Sequence, residues 1–206
     1  MYLFLENHRK DNAKFLIPLP VLVEVTTIIV LMSCKAGLPC RLTNEAKSYI
    51  EKGDVLQAAF NIGNAYSLEG IVIEGNRIGR TIGYPTANLK IDSAVLLPAN
   101  GVYVAMTRLE GCWYKSMVNI GTRPTLNLHK VVVEVFLIGL DSEIYGKTLS
   151  VHFLNRIRSE VRFPSLSELK QQLNMDRLQT VEEIDRLGVR PSSEELCIKL
   201  QRTLPL

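Results

Sequence analysis

The stretch "EGNRIGRTIGYPTANL", residues 74 to 89, sets Gly75, Gly79 and Gly83 at intervals of four with Arg77 and Arg80 between them. Backbone of that freedom can bring its N–H groups close to a phosphate. The same residues also suit a glycine-rich turn between strands with two solvated arginines. Just downstream, Pro85 fixes its own φ and biases Tyr84 toward extended geometry, so Thr86 and Asn88 project to one side if the chain runs on as a strand. A hydroxyl and an amide carbonyl facing one point suit Mg²⁺, which keeps several waters and takes much of its remaining coordination from substrate phosphates. The competing role for the two side chains is turn stabilisation through bonds to nearby backbone.

A second group able to do chemistry is Glu134 in "KVVVEVFLIGL". In a strand, Val131, Val133, Val135 and Leu137 share one face, and Glu134 shares the other with Val132 and Phe136. A carboxylate with such neighbours either lines the solvated outside of a barrel or stands in a partly desolvated site, placed to take a proton. Pattern alone favours the outside. The chain has no G-x-x-x-x-G-K-[ST] loop, no G-x-G-x-x-G after a strand and no paired histidines at metal spacing. His129, expected in a loop, and His152, on the strand face opposite Val151 and Phe153, read as structural, and Trp113 and Tyr114 as strand packing.

These residues need elements to hold them, and 206 residues suffice to bury a core. The 24 basic and 21 acidic residues leave a net charge of +3, too balanced to point to a nucleic-acid partner. Cys34, Cys40, Cys112 and Cys197 show no C-x-x-C spacing, so free thiols in a reducing cytoplasm are expected. The apolar stretch 15 to 32 holds two prolines and Glu24 and is short for a membrane span; it reads as a buried strand pair, with no membrane partner expected.

Three zones follow from periodicity and punctuation. Residues 1 to 66 end in a helical pair split at Gly53 and restarted at Asp54. From about 67 to 157 come strands rich in β-branched and aromatic residues, with "LEG" at 109 to 111 as a hairpin loop. Glycine-rich connections without intervening helices favour a closed or nearly closed antiparallel barrel over a parallel sheet. The rest is expected to be helical: Ser165, Thr180 and Ser192 each precede a glutamate at capping-box spacing, with leucines at 166, 169 and 173 and again at 196, 200 and 204.

The ordered blocks "GRTIGYPTANL", "GVYV", "VNIGTRPT", "VEVFLIGLDSEIYGKTLSVHFL" and "RIRSEVRFPSLSEL" resemble the riboflavin kinase domain of the bacterial bifunctional riboflavin kinase/FMN adenylyltransferase family. The likeness covers about residues 66 to 187. It implies a mainly β fold, a six-stranded antiparallel Greek-key barrel with a C-terminal helical flank and a short N-terminal α+β remnant. It also implies transfer of phosphate from ATP to the riboflavin 5′-hydroxyl with Mg²⁺. Carried over, it makes Thr86 and Asn88 the groups at the metal and the ATP phosphates, and Glu134 the base. Gly75, Arg77, Gly79 and Gly83 would cover the nucleotide, with Tyr145 beside it. Asn119, Thr122, Arg123 and Thr125 would form a flap, and Arg158, Phe163 and Leu166 would lead into the helix that borders the flavin.

In that family an adenylyltransferase domain with a His-x-Gly-His motif precedes the kinase. Ahead of residue 129 this chain has only His8, and "RLTNEAK" stands where a second, arginine-bearing motif belongs. Residues 1 to 66 thus resemble at most the tail of such a domain, 67 to 187 the kinase, and 188 to 206 a final helix, with no FAD synthesis expected.

Overall fold

The computed structural model describes residues 2–3, 17–18, 27–30, 42–125, 128–191 and 196–201. Near the N-terminus are three short strands, β1 (Tyr2–Leu3), β2 (Ile17–Pro18) and β3 (Thr27–Val30). The apolar segment does hold two strands, but they do not pair with each other. β2 pairs with β1, and β3 pairs with a strand near the other end of the chain. Pro18 and Pro20 lack the N–H groups that a shared ladder would use.

The helical pair forms as its punctuation predicts. The Thr43 hydroxyl accepts from Ala46 N at 3.0 Å to start α1 (Asn44–Lys52), which stops at Gly53 with φ of 80°. Asp54 accepts from Gln57 N at 3.1 Å to start α2 (Val55–Ile62). Ile50, Val55 and Ala58 of this pair are buried in the barrel's own core cluster.

The barrel is made of β4 (Ser67–Ile73), β5 (Ala87–Lys90), β6 (Gly101–Leu109), β7 (Cys112–Thr125), β8 (Leu128–Leu137) and β9 (Thr148–Arg158), with the short helix α3 (Ile78–Thr81) between the first two. Around the barrel the order is β4-β5-β8-β7-β6-β9, closing on β4, with every pair antiparallel. Hairpin-linked β6, β7 and β8, with β9 returning beside β6, make a Greek key. Closure leaves no unpaired edge. Period-two alternation sends Leu68, Val72, Val118, Ile120, Val133, Val135, Val151 and Phe153 inward, and a fully buried Val or Phe contributes about 1.5–3 kcal/mol. The "LEG" loop is the two-residue turn Glu110–Gly111, with φ of 48° and 85°, the type I′ geometry that matches strand twist. His129 lies in β8 opposite Pro124 rather than in a loop.

Ser165 caps α4 (Leu166–Arg186), accepting from Glu168 N at 3.2 Å. Thr180 starts no second helix. It is buried inside α4 and donates to the Asp176 carbonyl at 2.8 Å, a back-bond that lets the helix continue. The final helix expected over 188 to 206 is also corrected: β10 (Arg190–Pro191) and β11 (Leu196–Gln201) are strands, and β11 pairs with β3. Leucines four apart fit a period of two as well as one of 3.6, and Leu196, Ile198 and Leu200 alternate with Cys197, Lys199 and Gln201 opposite the β-branched run Thr27–Val30. Ser192 and Glu195 lie outside the described residues. Among the described residues no helix is long and apolar enough to cross a membrane.

Candidate functional site

Cross-strand register sets Asn88 opposite Glu134, Glu134 opposite Asn119, Asn119 opposite Val102, and Val102 opposite Arg158. Directly paired residues share a sheet face, so five side chains from five neighbouring strands form one row on the outside of the barrel. Two register shifts between β6 and β9, flanking Tyr103 and Val104, bend β9 beside Arg158. All five residues line a hollow of about 350 Å³. Its apolar surface comes from Ile82, Tyr84, Met117 and Phe136, with Leu169 and Leu173 of α4 packed against them. Tyr84 lies 5.1 Å from Phe136, ring centre to ring centre, and donates its hydroxyl to Asn174 Oδ1 on α4.

Glu134 is therefore on the outer face of the barrel and yet half-buried, because α3 and α4 cover that face. Its face is the outer one that alternation favours, but it stands there under cover and not in open solvent. Asn119 Nδ2 donates to Glu134 Oε2 at 3.5 Å.

A second hollow, of about 500 Å³, lies beside the first and runs between α3 and the 140–145 loop. Val72, Leu137, Leu140 and Ile144 give it apolar walls, with Tyr145 among the lining residues. The Arg77 guanidinium sits 5.6 Å over the Tyr145 ring and bonds Glu74 Oε1 at 3.0 Å. Arg80 Nη1 bonds Glu143 Oε1 at 2.7 Å, tying the two lips together. That bond and the guanidinium charge hold the Glu143 carboxyl below its ordinary range, and Glu143 in turn raises Arg80. Arg77 and Thr86 line both hollows, so the two meet there.

The glycine-rich loop earns its composition by close approach. A Cβ on Gly79 would stand 2.1 Å from the Tyr84 carbonyl oxygen, and Tyr84 N donates to Gly79 O at 2.7 Å, folding 79 to 84 back on itself. A Cβ on Gly75 would stand 2.0 Å from Asn88 Nδ2, so the bare backbone at 75 lies directly on the Asn88 amide. Asn88 is buried and Thr86 exposed, both within the smaller hollow.

Of the residues singled out from sequence, Arg77, Gly79, Thr86, Asn88, Asn119, Glu134, Arg158 and Phe163 come together around the smaller hollow, and Gly83 and Tyr145 around the larger. Gly75 lines neither but supports Asn88. Thr122 accepts from Asn100 Nδ2 at 2.8 Å, away from both hollows. Leu166 is 56% exposed and lines neither. The side chains of Arg123 and Thr125 lie outside the described set. Sequence reasoning missed Asp176, whose carboxylate takes Arg158 Nε at 3.1 Å and Nη2 at 2.8 Å. The spacing 169, 173, 176, 180, 184 on α4 carried the signal, an aspartate and a threonine within an otherwise apolar stripe.

The riboflavin kinase family model matches residues 62–184, more than half of the chain. The chain belongs to the riboflavin kinase family. Similar members are the bifunctional riboflavin kinase/FMN adenylyltransferases of Haemophilus influenzae, 40% identical over 138 residues (66% of this chain, 44% of that protein), and of Bacillus subtilis, 34% identical over 138 residues (66% and 44%). That of Buchnera aphidicola is 33% identical over 175 residues, covering 82% of this chain and 55% of the relative. The chain thus spans about half the length of the curated relatives it matches. Among solved structures, one titled as a macrolide-efflux protein from Streptococcus pneumoniae superposes with a TM-score of 0.65 at 34% identity, over 68% of this chain and 46% of that one.

Proposed function

We propose that this riboflavin kinase family chain transfers the γ-phosphate of ATP to the 5′-hydroxyl of riboflavin, giving FMN and ADP. The observation that carries this reading is the pair of hollows that meet at Thr86 and Arg77, with a half-buried carboxylate, Glu134, inside the smaller one. Phosphoryl transfer asks a protein mainly to align two substrates and to neutralise charge on the transferring group. Two adjoining sites with cationic side chains at their rim suit that demand.

In this mechanism the isoalloxazine ring occupies the hollow walled by Phe136, Met117, Leu169 and Leu173, with Phe163 and Arg158 at its edge. Glu134 accepts the proton of the 5′-hydroxyl, oriented by the bond from Asn119. The flap role that the resemblance gives Thr122, Arg123 and Thr125 is not part of this mechanism, since Thr122 bonds Asn100 away from both hollows. ATP occupies the larger hollow, with its base beside Tyr145 and its phosphates toward Arg77 and Thr86. Arg80 joins them on leaving Glu143.

The donor set fits Mg²⁺: Thr86 and Asn88 offer a hydroxyl and an amide oxygen, and no cluster of three or more His, Cys, Asp or Glu side chains exists among the described residues. Such a pair suits an ion whose other ligands are phosphate and water. When bound there, Mg²⁺ supplies further neutralisation of phosphate charge. The compartment this reading assigns is the cytoplasm.

The test is FMN formation from riboflavin and Mg·ATP, followed by chromatography with fluorescence detection, in the native chain and in Glu134→Gln. The variant keeps shape and a partner for Asn119 but loses the base, so kcat should fall about 10²- to 10⁴-fold with flavin binding retained. Flavin and ATP binding without any FMN from the native chain would overturn the kinase reading in favour of a silent flavin-binding module.

A further inference from the structure

Asp176 is 1% exposed, on the buried stripe of α4, and the mechanism above gives it no task. Its carboxylate is engaged entirely by protein groups. Arg158 Nε lies 3.1 Å from both oxygens, Arg158 Nη2 is 2.8 Å from Oδ2, and Gln172 Nε2 donates to Oδ1 at 2.8 Å. The far side of the same guanidinium donates from Nη1 to the Ser159 carbonyl at 3.1 Å, and its carbon sits 5.6 Å over the Phe163 ring. The chain of contacts thus runs from the interior of α4, through Arg158, to the segment 159–163 that forms one wall of the smaller hollow. One turn before Gln172 and Asp176, α4 lends the opposite wall Leu169 and Leu173. An apolar residue would pack this position without the desolvation cost of a carboxylate, so stability alone does not account for an aspartate here. A fork pinned on one edge by a carboxylate fixes the direction of its other edge.

We propose that Asp176 is a positioning residue for the flavin: it holds the Arg158 fork against Phe163 and Ser159, so that both walls of the flavin slot are formed before the ligand arrives. This rests on the reading of the smaller hollow as the flavin site. Because Asp176 acts on the slot and not on Glu134 or the phosphates, its loss acts on flavin affinity and leaves the chemical step in place.

The experiment measures riboflavin Kd by quenching of flavin fluorescence, together with kcat and both KM values, in the native chain, Asp176→Asn, Arg158→Gln and the double variant, with thermal melts as a check on folding. Asp176→Asn should raise the flavin Kd and KM about tenfold or more, with kcat and the KM for ATP within about threefold, and the double variant should be no worse than Arg158→Gln alone. A folded Asp176→Asn with flavin Kd within about twofold of native, or a double variant whose loss is the product of the single ones, overturns the proposal. If Asp176→Asn does not fold, Gln172→Met carries the test. It removes one bond to Asp176 and keeps the ion pair, so a rise of about threefold in flavin Kd is expected, and no rise overturns the assignment. The binding ratios stand even if the native chain makes no FMN, an outcome that sinks the kinase reading alone; a native chain that binds no flavin sinks both.

Discussion

Lowering the pH should destabilise this barrel through a site remote from both hollows. His152 on β9 is pressed between the Trp113 ring, 5.0 Å away, and the adjoining strands, with Ser150 Oγ 3.2 Å from Nε2. Burial, helped by the charge of Arg108, pushes its pKa down from 6.5 to about 4. The folded chain therefore keeps this imidazole neutral where the unfolded chain protonates it. Above pH 6.5 both states are neutral and the group contributes nothing; below it the unfolded state binds a proton that the folded state refuses, and stability falls until the pH reaches about 4. Linkage over those two values gives a loss of about 2 kcal/mol between pH 7 and pH 5, and about 3 kcal/mol by pH 4. Urea unfolding of the native chain and of His152→Gln at pH 7 and pH 5 isolates the effect, since other titrating groups are common to both. The native chain should lose about 2 kcal/mol more than the variant over that interval, and a difference under about 0.5 kcal/mol would refute the reasoning. His152 lines neither hollow, so FMN formation at pH 7.5 should be unchanged in the variant.

Two further outcomes bear on the loop and the cleft. Gly75→Ala puts a methyl into the Asn88 amide without altering Asn88 itself, and kcat/KM for Mg·ATP should drop about 10- to 100-fold in steady-state assays; retention within about threefold would show that Asn88 need not be held where it is. Glu143→Gln releases Arg80 from its partner across the cleft, so the KM for ATP should fall about two- to fivefold at low salt and return toward native as salt screens the exposed pair; a KM that rises would make Glu143 a nucleotide contact instead of a competitor.

What was legible in the sequence was legible for local reasons. Strand alternation, the hairpin loop at 109 to 111 and the caps at Asp54 and Ser165 act within a few residues, and each is found where the pattern put it. The block order from 79 to 169 carried the family and, with it, the six-strand Greek-key arrangement, while strand and turn pattern had favoured closure only in general terms. Glu134 shows where pattern reading stops, because alternation gives its face while its cover comes from α3 and α4, far away in sequence. For Asp176 the helical spacing marks a polar residue on an apolar stripe, but not its partner, which lies 18 residues back on a different element. The C-terminal segment misled because a spacing of four serves helix and strand alike, and the choice fell to a strand some 170 residues upstream.

The lateral row of Asn88, Glu134, Asn119, Val102 and Arg158 draws one residue from each of five strands that are neighbours in space but not in sequence. A one-residue slip between any two of them would turn part of the row into the core. No half-zipped barrel carries the whole row, and the smaller hollow is incomplete until β9 is in place. A ligand of that hollow must then act on the exit from the native state and not on the approach to it: flavin in the refolding buffer will leave the folding rate alone and slow unfolding, making occupancy a lock on a door that closes by itself.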